Sequence, residues 1–178
     1  MALVGKFGDN LEFTRTFHSA TPAAPTTVPQ RLASWADSAI GIGWNTSLQS
    51  RLEFRLDPAD GLEDPVFLRE DGRGIHFEQF PLGVYRAADG RHTTLALATA
   101  GDRCGGVAGT AYSLRETNDT IYCFGSDGRL LRRQNLNGKG LTFSYAVDGR
   151  LACVRNDSGQ ALRFVPSTAT TAALVGEI

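Results

Sequence analysis

The chain has 178 residues, of which 42% are hydrophobic, and 18 basic and 19 acidic residues give it a formal net charge of −1. This length and composition predict one folded domain with a sizeable core. The balanced charge argues against a nucleic-acid or anionic-membrane surface, because both need a strong excess of cations. No stretch approaches the roughly 18 apolar residues of a membrane span, and no early apolar run is long enough for a signal-peptide core.

The N-terminal part of the chain combines strand-like, loop-like and helix-like patterns. Leu11–Phe17 alternates apolar and polar residues, which predicts a strand with one buried face. Residues 20–29 contain three prolines, and because proline removes backbone donors this segment is predicted to be a loop. Apolar residues then recur at helical spacing in residues 30–40, which predicts one short amphipathic helix lying on the sheet as a lid. Trp35 in this helix and Trp44 after it are predicted to be lid or core residues, or alternatively to stack on a sugar ring.

The middle of the chain is predicted to form strands joined by tight turns. In Leu52–Leu56 apolar residues alternate with charged ones, which is typical of a strand. Apolar segments then flank Asp71-Gly72 and again Asp89-Gly90, and an Asp-Gly pair between apolar segments predicts a β-hairpin. Gly101–Gly109 is too rich in glycine to pair well and is predicted to be a loop.

A unit of 21 residues repeats in the C-terminal part, where Asp-Gly-Arg-Leu occurs twice and Tyr122, Phe143 and Phe164 occupy equivalent positions. Each unit contains two turns and so predicts one hairpin, and successive hairpins predict a continuous antiparallel meander over residues 120–165. Side chains two positions apart share a face, so every unit is expected to place aromatic and aliphatic bulk on the same side of the sheet. The turn residues singled out by the pattern are Asp127, Gly128, Asn137, Gly138, Asp148 and Gly149.

Several of these segments, in this order, resemble the Rhs (rearrangement hotspot) or YD-repeat family of large bacterial proteins. The resemblance covers roughly Gly8 to Val165. The motifs that carry it are FTRTFHS at 13–19, GIGW at 41–44, LREDGRGIHF at 68–77, TIYCFGSDGRL at 120–130, NLNGKGLTFSY at 135–145 and DGRLACVRNDSGQALRF at 148–164.

The resemblance implies an all-β fold, an antiparallel meander of YD-type hairpins that forms a curved, incomplete shell, with the one short helix near residues 30–40. Residues 1–119 are then the strands, helix and loops that lead into the shell, 120–165 the repeats, and 166–178 an irregular tail. With fewer repeats than a full shell needs, the chain is expected to be a fragment of a shell.

The function and location expected from the resemblance also follow the family. Its shell encloses a C-terminal toxin domain, and many members are effectors delivered by type VI secretion. The expected partners are therefore a toxin domain or the remaining shell, in the same chain or a separate one. The expected location is the cytoplasm before export, or outside the cell as part of a larger effector.

Little in the sequence predicts catalysis, and no cofactor or metal is expected. The three histidines are dispersed, and no Gly-x-Ser-x-Gly motif or phosphate-binding loop occurs. Cys104, Cys123 and Cys153 are an odd number without CxxC spacing, and they are expected to be free thiols. The first hypothesis is thus a non-catalytic structural segment of the shell, and the alternative is a carbohydrate-binding module that uses exposed aromatic residues.

The last predicted strand, Ala161–Val165, carries Leu162 and Phe164 at an expected open edge of the sheet. Unpaired strand edges are templates for pairing with another chain. The isolated protein is therefore expected to self-associate through this strand unless the tail from Pro166 onward folds back to cover it.

Overall fold

The fold is mainly β, as the sequence predicts. The structure is a computed structural model that describes residues 2–3, 10–17, 44–56, 61–80, 83–88, 90, 92–165 and 174–175. The helix predicted at residues 30–40, with Trp35, lies outside the described residues. The strands are β1 (Ala2–Leu3), β2 (Leu11–Glu12), β3 (Arg15–Phe17), β4 (Trp44–Thr46), β5 (Arg51–Leu56), β6 (Glu63–Leu68), β7 (Gly74–Phe80), β8 (Val84–Ala87), β9 (Thr94–Leu97), β10 (Thr110–Arg115), β11 (Ile121–Gly125), β12 (Leu130–Gln134), β13 (Gly140–Tyr145), β14 (Leu151–Asn156), β15 (Ala161–Val165) and β16 (Leu174–Val175).

Strands β5 to β16 form one antiparallel sheet in which every strand pairs with its neighbours in sequence. This arrangement confirms the predicted meander and extends it upstream through β5–β10. The predicted Asp-Gly hairpin at Gly72 is also confirmed, because Gly72 joins β6 to β7 with a left-handed φ of 80°. β8 and β9 pair in the same way on either side of Gly90, while Asp89 lies outside the described residues.

The open sheet curls until its first hairpin meets the repeats. Phe54 on β5 lies 5.3 Å from Tyr112 on β10, and Phe67 on β6 lies 5.1 Å from Tyr122 on β11, both measured between ring centroids. The backbone N–H of Leu52 donates to the carbonyl of Gly128 at 2.9 Å. A sheet with the usual strand twist curls in this way when one face is apolar enough to pack on itself.

The inner face of this curl is the core of the molecule. On β13 and β15, Leu141, Phe143, Leu162 and Phe164 all point into it, which confirms the predicted common face of the repeats. Each fully buried Leu or Phe contributes about 1.5–3 kcal/mol of stabilisation. The buried members of this core are Leu11, Leu48, Leu52, Phe67, Ile75, Phe77, Tyr85, Leu95, Leu114, Tyr122, Phe124, Leu130, Leu141, Phe143, Val154, Leu162 and Phe164.

The N-terminal segment packs against the same core, although its strand differs from the prediction. The single strand predicted over Leu11–Phe17 is two short strands, since β2 pairs with β1 and β3 pairs with β4. Between them Thr14 exchanges hydrogen bonds with Ser47, whose N–H donates to the Thr14 carbonyl at 3.0 Å. The Phe13 ring, in the same break, lies 6.0 Å from Phe164 on β15.

The prediction of three free thiols is wrong for two of them. Cys104, in the confirmed loop at Gly101–Gly109, forms a disulfide with Cys123 on β11, and only Cys153 is free among the three. Alternation along β11 points Cys123 away from the core, opposite to Tyr122. The disulfide therefore fastens the loop onto the outer face of the sheet.

The tail returns to the last long strand. β16 pairs with β15 through Phe164 opposite Val175 and Val165 opposite Leu174. Leu162 and Phe164 point into the core, with 1% and 8% of their surface exposed, and so present no apolar surface at the edge. Self-association through β15 stays a prediction, and the rest of the range predicted as an irregular tail lies outside the described residues.

Candidate functional site

The predicted turn residues Asp127 and Gly128 form a three-residue loop. The N–H of Gly125 donates to the carbonyl of Arg129 at 2.9 Å, and the N–H of Gly128 donates back to the Gly125 carbonyl at 3.0 Å. Gly128 has a φ of 81°, a left-handed conformation that glycine adopts without steric cost. The Asp127 carboxylate accepts the Arg129 N–H at 3.1 Å and so fixes the turn from within.

The next turn at this end of the strands repeats that geometry. Gly149 has a φ of 86°, and Asp148 accepts the N–H of Arg150 at 3.0 Å. We call the end of the sheet formed by residues 126–128 and 147–149 the Asp-Gly rim. Asp127-Gly128 and Asp148-Gly149 therefore form equivalent turns, as predicted.

The opposite end of the strands, formed by residues 135–138 and 156–159, is the Asn-Gly rim. Gly138 has the expected left-handed φ of 74°. Asn137 lies in the turn as predicted, and the side chain that fixes this turn is Asn135, whose amide oxygen accepts the N–H of Asn137 at 2.9 Å and that of Lys139 at 3.1 Å. Asn156 repeats this role, accepting the N–H of Gln160 at 2.8 Å.

The repeat also includes a β-bulge that the sequence pattern did not reveal. Cys123 pairs with Arg132 and Phe124 with Leu130, which leaves Leu131 as an extra residue in β12. The β13–β14 pair has the same irregularity, 21 positions later, at Ala152. A bulge increases the local twist, so the same local increase in twist recurs in the β11–β12 and β13–β14 hairpins.

The Asp-Gly rim joins the repeats to the start of the sheet and to each other. A Cβ atom on Gly128 would lie only 2.1 Å from the Leu52 carbonyl oxygen, so β5 approaches this turn as closely as glycine allows. Arg129 reaches the second turn, where a Cβ on Gly149 would lie 2.2 Å from its guanidinium. The same guanidinium lies 3.2 Å from Asp127 and 5.4 Å from the centroid of the Tyr145 ring.

The Asn-Gly rim is joined by charge. The Arg132 guanidinium donates to both carboxylate oxygens of Asp157, at 2.7 and 3.2 Å, and to the carbonyl of Gly138 at 2.8 Å. The N–H of Gly140 also donates to Asp157 at 2.8 Å. Desolvation by burial acts to raise the pKa of Asp157, but the hydrogen bonds from Arg132 and Gly140 outweigh it, so the pKa is lowered from its usual value.

A buried polar group ties the two walls of the curl together. Glu116, with 6% of its surface exposed, accepts a hydrogen bond from the Tyr122 hydroxyl at 3.1 Å and lies 3.3 Å from the Arg69 guanidinium at the end of β6. Burial, followed by the Glu116 charge, raises the pKa of the Tyr122 hydroxyl. The carboxylate is thus shared between a cation and a neutral donor, which is an arrangement that holds two elements together.

The other candidate residues from the sequence are spread over the surface or lie outside the residues that the structure describes. Trp44 begins β4, and its side chain, like the whole of Trp35, lies outside the described part, so the sugar-stacking hypothesis stays a prediction. His76 and His92 are exposed on different strands or loops. Among the described residues no group of three or more His, Cys, Asp or Glu side chains could hold a metal ion.

Comparison with family models, curated proteins and solved structures found no match. The Rhs or YD-repeat assignment accordingly depends on the sequence motifs and stays a prediction. Within the described ranges, no helix is both long and apolar enough to cross a membrane.

Proposed function

We propose that this chain is a structural, non-catalytic wall segment of the Rhs or YD-repeat type, and that it encloses or scaffolds a toxin domain in the same chain or a separate one. The observation that carries the proposal is the 21-residue unit, which reproduces its turn, its bulge and its inner aromatic residue in consecutive hairpins. Successive units have the same shape because each unit of a repeat protein packs only on its neighbours and must match them.

The use of the charged groups supports a role in shape. Arg129 bridges the two turns of the Asp-Gly rim, and Arg132 with Asp157 bridges the two turns of the Asn-Gly rim. Arg69 reaches Glu116 across the curl, while Tyr122 holds the Glu116 carboxylate from within the β10–β11 hairpin. The contacts of Arg129, Arg132 and Arg69 each join one hairpin to another, as a wall segment requires.

The position of a partner follows from the filled inner face. Leu11, Leu48 and the first hairpin already occupy the inside of the curl. A toxin domain would therefore lie beyond the rims or beyond the last strand, with this segment closing one end of a larger enclosure. The apolar inner face of added repeats would continue the same curved surface.

The experiment is to express the reading frame that follows Ile178, alone and together with this chain, in a bacterial host. The proposal expects that the frame alone arrests growth and that a complex with this chain protects its product from protease, slowing cleavage about tenfold or more. Gly128→Ala, which disturbs the curl, should reduce the protection, whereas Gly138→Ala, at an open turn, is the matched control. A downstream product that is harmless and forms no complex would refute the proposal.

A further inference from the structure

The short strand β16 continues the register of the repeat. In the β13–β14 pair, Phe143 lies opposite Val154 and Ser144 lies opposite Cys153. In the β15–β16 pair, Phe164 lies opposite Val175 and Val165 lies opposite Leu174. All four residues of the second set come 21 positions after their counterparts in the first. The tail therefore meets β15 at the place where the next strand of the repeat belongs.

The sequence of the tail lacks the residue types that fix the turn in the earlier unit. The residues 21 positions after Asp148, Gly149 and Arg150 are Ala169, Thr170 and Thr171. Neither the aspartate that accepts the turn N–H nor the glycine that adopts a left-handed φ is present there. Aspartate and glycine at these positions fix a turn, and the described ladder between β15 and β16 has only two residue pairs, which is a weak attachment.

A strand that pairs with the outer edge of β15 would bind through backbone hydrogen bonds, because the large apolar side chains of β15 are buried in the core. Leu162 and Phe164 are buried in the core, and Phe164 contacts Phe13. On its inner edge β15 is fixed to β14 by the pairs of residues 161–163. A strand that is paired on one edge and has only a two-residue neighbour on the other is a geometry in which strand addition occurs.

We propose that Leu174–Val175 is a placeholder in the position of a further repeat strand, and that the outer edge of β15 is the site where another hairpin of the same 21-residue design adds by antiparallel pairing. The occupant is defined by the register, with an apolar residue opposite Phe164, as Val154 lies opposite Phe143. This inference rests on the proposed function in treating the sheet as a wall segment that can be lengthened.

The first test restores the missing turn in the full chain. The triple variant Ala169→Asp, Thr170→Gly, Thr171→Arg should lock β16 in place and slow amide hydrogen exchange in residues 162–165 about tenfold. The matched control is Ala169→Gly, Thr170→Asp, Thr171→Arg, which has the same composition but moves glycine from the left-handed position, and its exchange should match that of the parent. Equal exchange in the two variants would overturn the placeholder.

The second test measures strand addition directly. The probe is a labelled synthetic peptide of residues 145–157 with Cys153→Ser, and its control is the same peptide in scrambled order. The repeat peptide should bind the full chain about tenfold more tightly than the scrambled one, bind Leu174→Pro more tightly still, and bind the locked triple variant about tenfold more weakly. Binding that ignores the peptide order or the state of the tail would overturn the proposal.

Neither readout involves a toxin. Failure of strand addition would therefore leave the wall segment to its own test, and failure to find a toxin would leave the β15 site standing.

Discussion

Gly128 and Gly138 lie at opposite ends of β12, in loops of the same length and with nearly the same φ, 81° and 74°. Their surroundings differ completely. A Cβ on Gly128 would meet the Leu52 carbonyl at 2.1 Å, whereas a Cβ on Gly138 would meet nothing within 4 Å. The conformation of each turn is therefore a local property of the repeat, while the cost of changing it depends on a strand that lies far away in sequence.

The two rims also differ in the forces that join neighbouring turns. The Asp-Gly rim depends on close backbone contact with β5 and on the packing of Arg129 against Tyr145. The Asn-Gly rim depends on the ion pair between Arg132 and Asp157. Close packing is insensitive to salt, and charge pairs are weakened by it. The rims should accordingly respond to different perturbations.

The largest expected effect is the difference in the free energy of unfolding between Gly128→Ala and Gly138→Ala. Both variants force alanine into a left-handed conformation at about 1–2 kcal/mol. Gly128→Ala must also push β5 away, and overpacking of this kind adds about 1–3 kcal/mol. We expect the free energy of unfolding, measured by urea titration with circular dichroism, to fall by about 4 kcal/mol for Gly128→Ala and by about 1 kcal/mol for Gly138→Ala.

Gly149→Ala separates backbone from side-chain obstruction at the same rim. The atom nearest to a Cβ there is the Arg129 guanidinium, the mobile end of a side chain, which can move aside. Its loss of stability should therefore lie close to that of Gly138→Ala. Equal losses for Gly128→Ala and Gly138→Ala would show that β5 does not rest on the Asp-Gly rim.

The disulfide is expected to have the next largest effect, and to act on the Asn-Gly rim. Cys104 and Cys123 close a loop with a sequence separation of 19 residues, which corresponds to about 3 kcal/mol of stabilisation. The fastened loop reaches the rim through Arg103, whose guanidinium donates to the Leu136 carbonyl and whose carbonyl accepts from Gln134. The rim should loosen when the loop is released.

Cys104→Ala with Cys123→Ala tests this expectation against Cys153→Ala, which removes the free thiol. The double variant should lose about 3 kcal/mol of stability and show faster amide exchange at the Asn-Gly rim than at the Asp-Gly rim. Uniformly faster exchange at both rims would mean that the loop does not act on one of them in particular.

What the sequence could predict of this molecule is what a few neighbouring residues determine. Asp127 with Gly128 specifies a turn, and the alternation around Phe143 specifies a buried face, so the meander and its inner surface were predictable. These features recur every 21 residues because the local rule recurs. The turn role of Asn135 was missed only because the adjacent Asn137-Gly138 pair is the stronger turn pattern.

Apart from the Asn135 turn and the β-bulges, the contacts that the sequence did not predict join distant segments. Leu52 meets Gly128 because the sheet curls by a definite amount, and that amount is set by twist and bulges summed over many strands. Cys104 meets Cys123 because a glycine-rich loop folds over the outer face, where alternation placed one cysteine. An odd number of cysteines without a spacing motif gave no sign of that partner.

The third expected effect, of about 1–2 kcal/mol, comes from the ion pair of the Asn-Gly rim. Because the pKa of Asp157 is lowered in the folded state, its stabilisation is present above the unfolded value near 3.8 and is lost as the pH falls through the folded pKa. Asp157→Asn should therefore be less stable at neutral pH and show a shallower loss of stability below pH about 4.

A double-mutant cycle with Arg132→Ala measures the pair itself. Coupling should weaken when salt is raised, because the side chains are 17% and 26% exposed and therefore partly screened. Coupling near zero at low salt would show that the ion pair of Arg132 and Asp157 does not join the two turns of the Asn-Gly rim.

The smallest expected effect is the loss of stability at alkaline pH that comes from Tyr145 at the Asp-Gly rim, whereas the loss at acid pH comes from Asp157 at the Asn-Gly rim. The Tyr145 hydroxyl donates to the Leu130 carbonyl at 2.8 Å, and burial raises its pKa despite the nearby Arg129 charge. Loss of this hydrogen bond in Tyr145→Phe should cost about 1 kcal/mol at neutral pH. Above the unfolded value of 10.0, the unfolded chain ionises at Tyr145 while the folded chain holds the proton, so the parent loses stability as the pH rises and Tyr145→Phe loses less.

An alkaline titration of the folded protein, followed by the absorbance of the phenolate, tests whether Tyr145 keeps its proton. Tyr122→Phe is the comparison variant, because it removes the other buried hydroxyl, which contacts Glu116 away from the Asp-Gly rim. If Tyr145 ionises at the same pH as an exposed tyrosine, water reaches the Asp-Gly rim, and this rim is not held by close packing as the comparison with the Asn-Gly rim assumes.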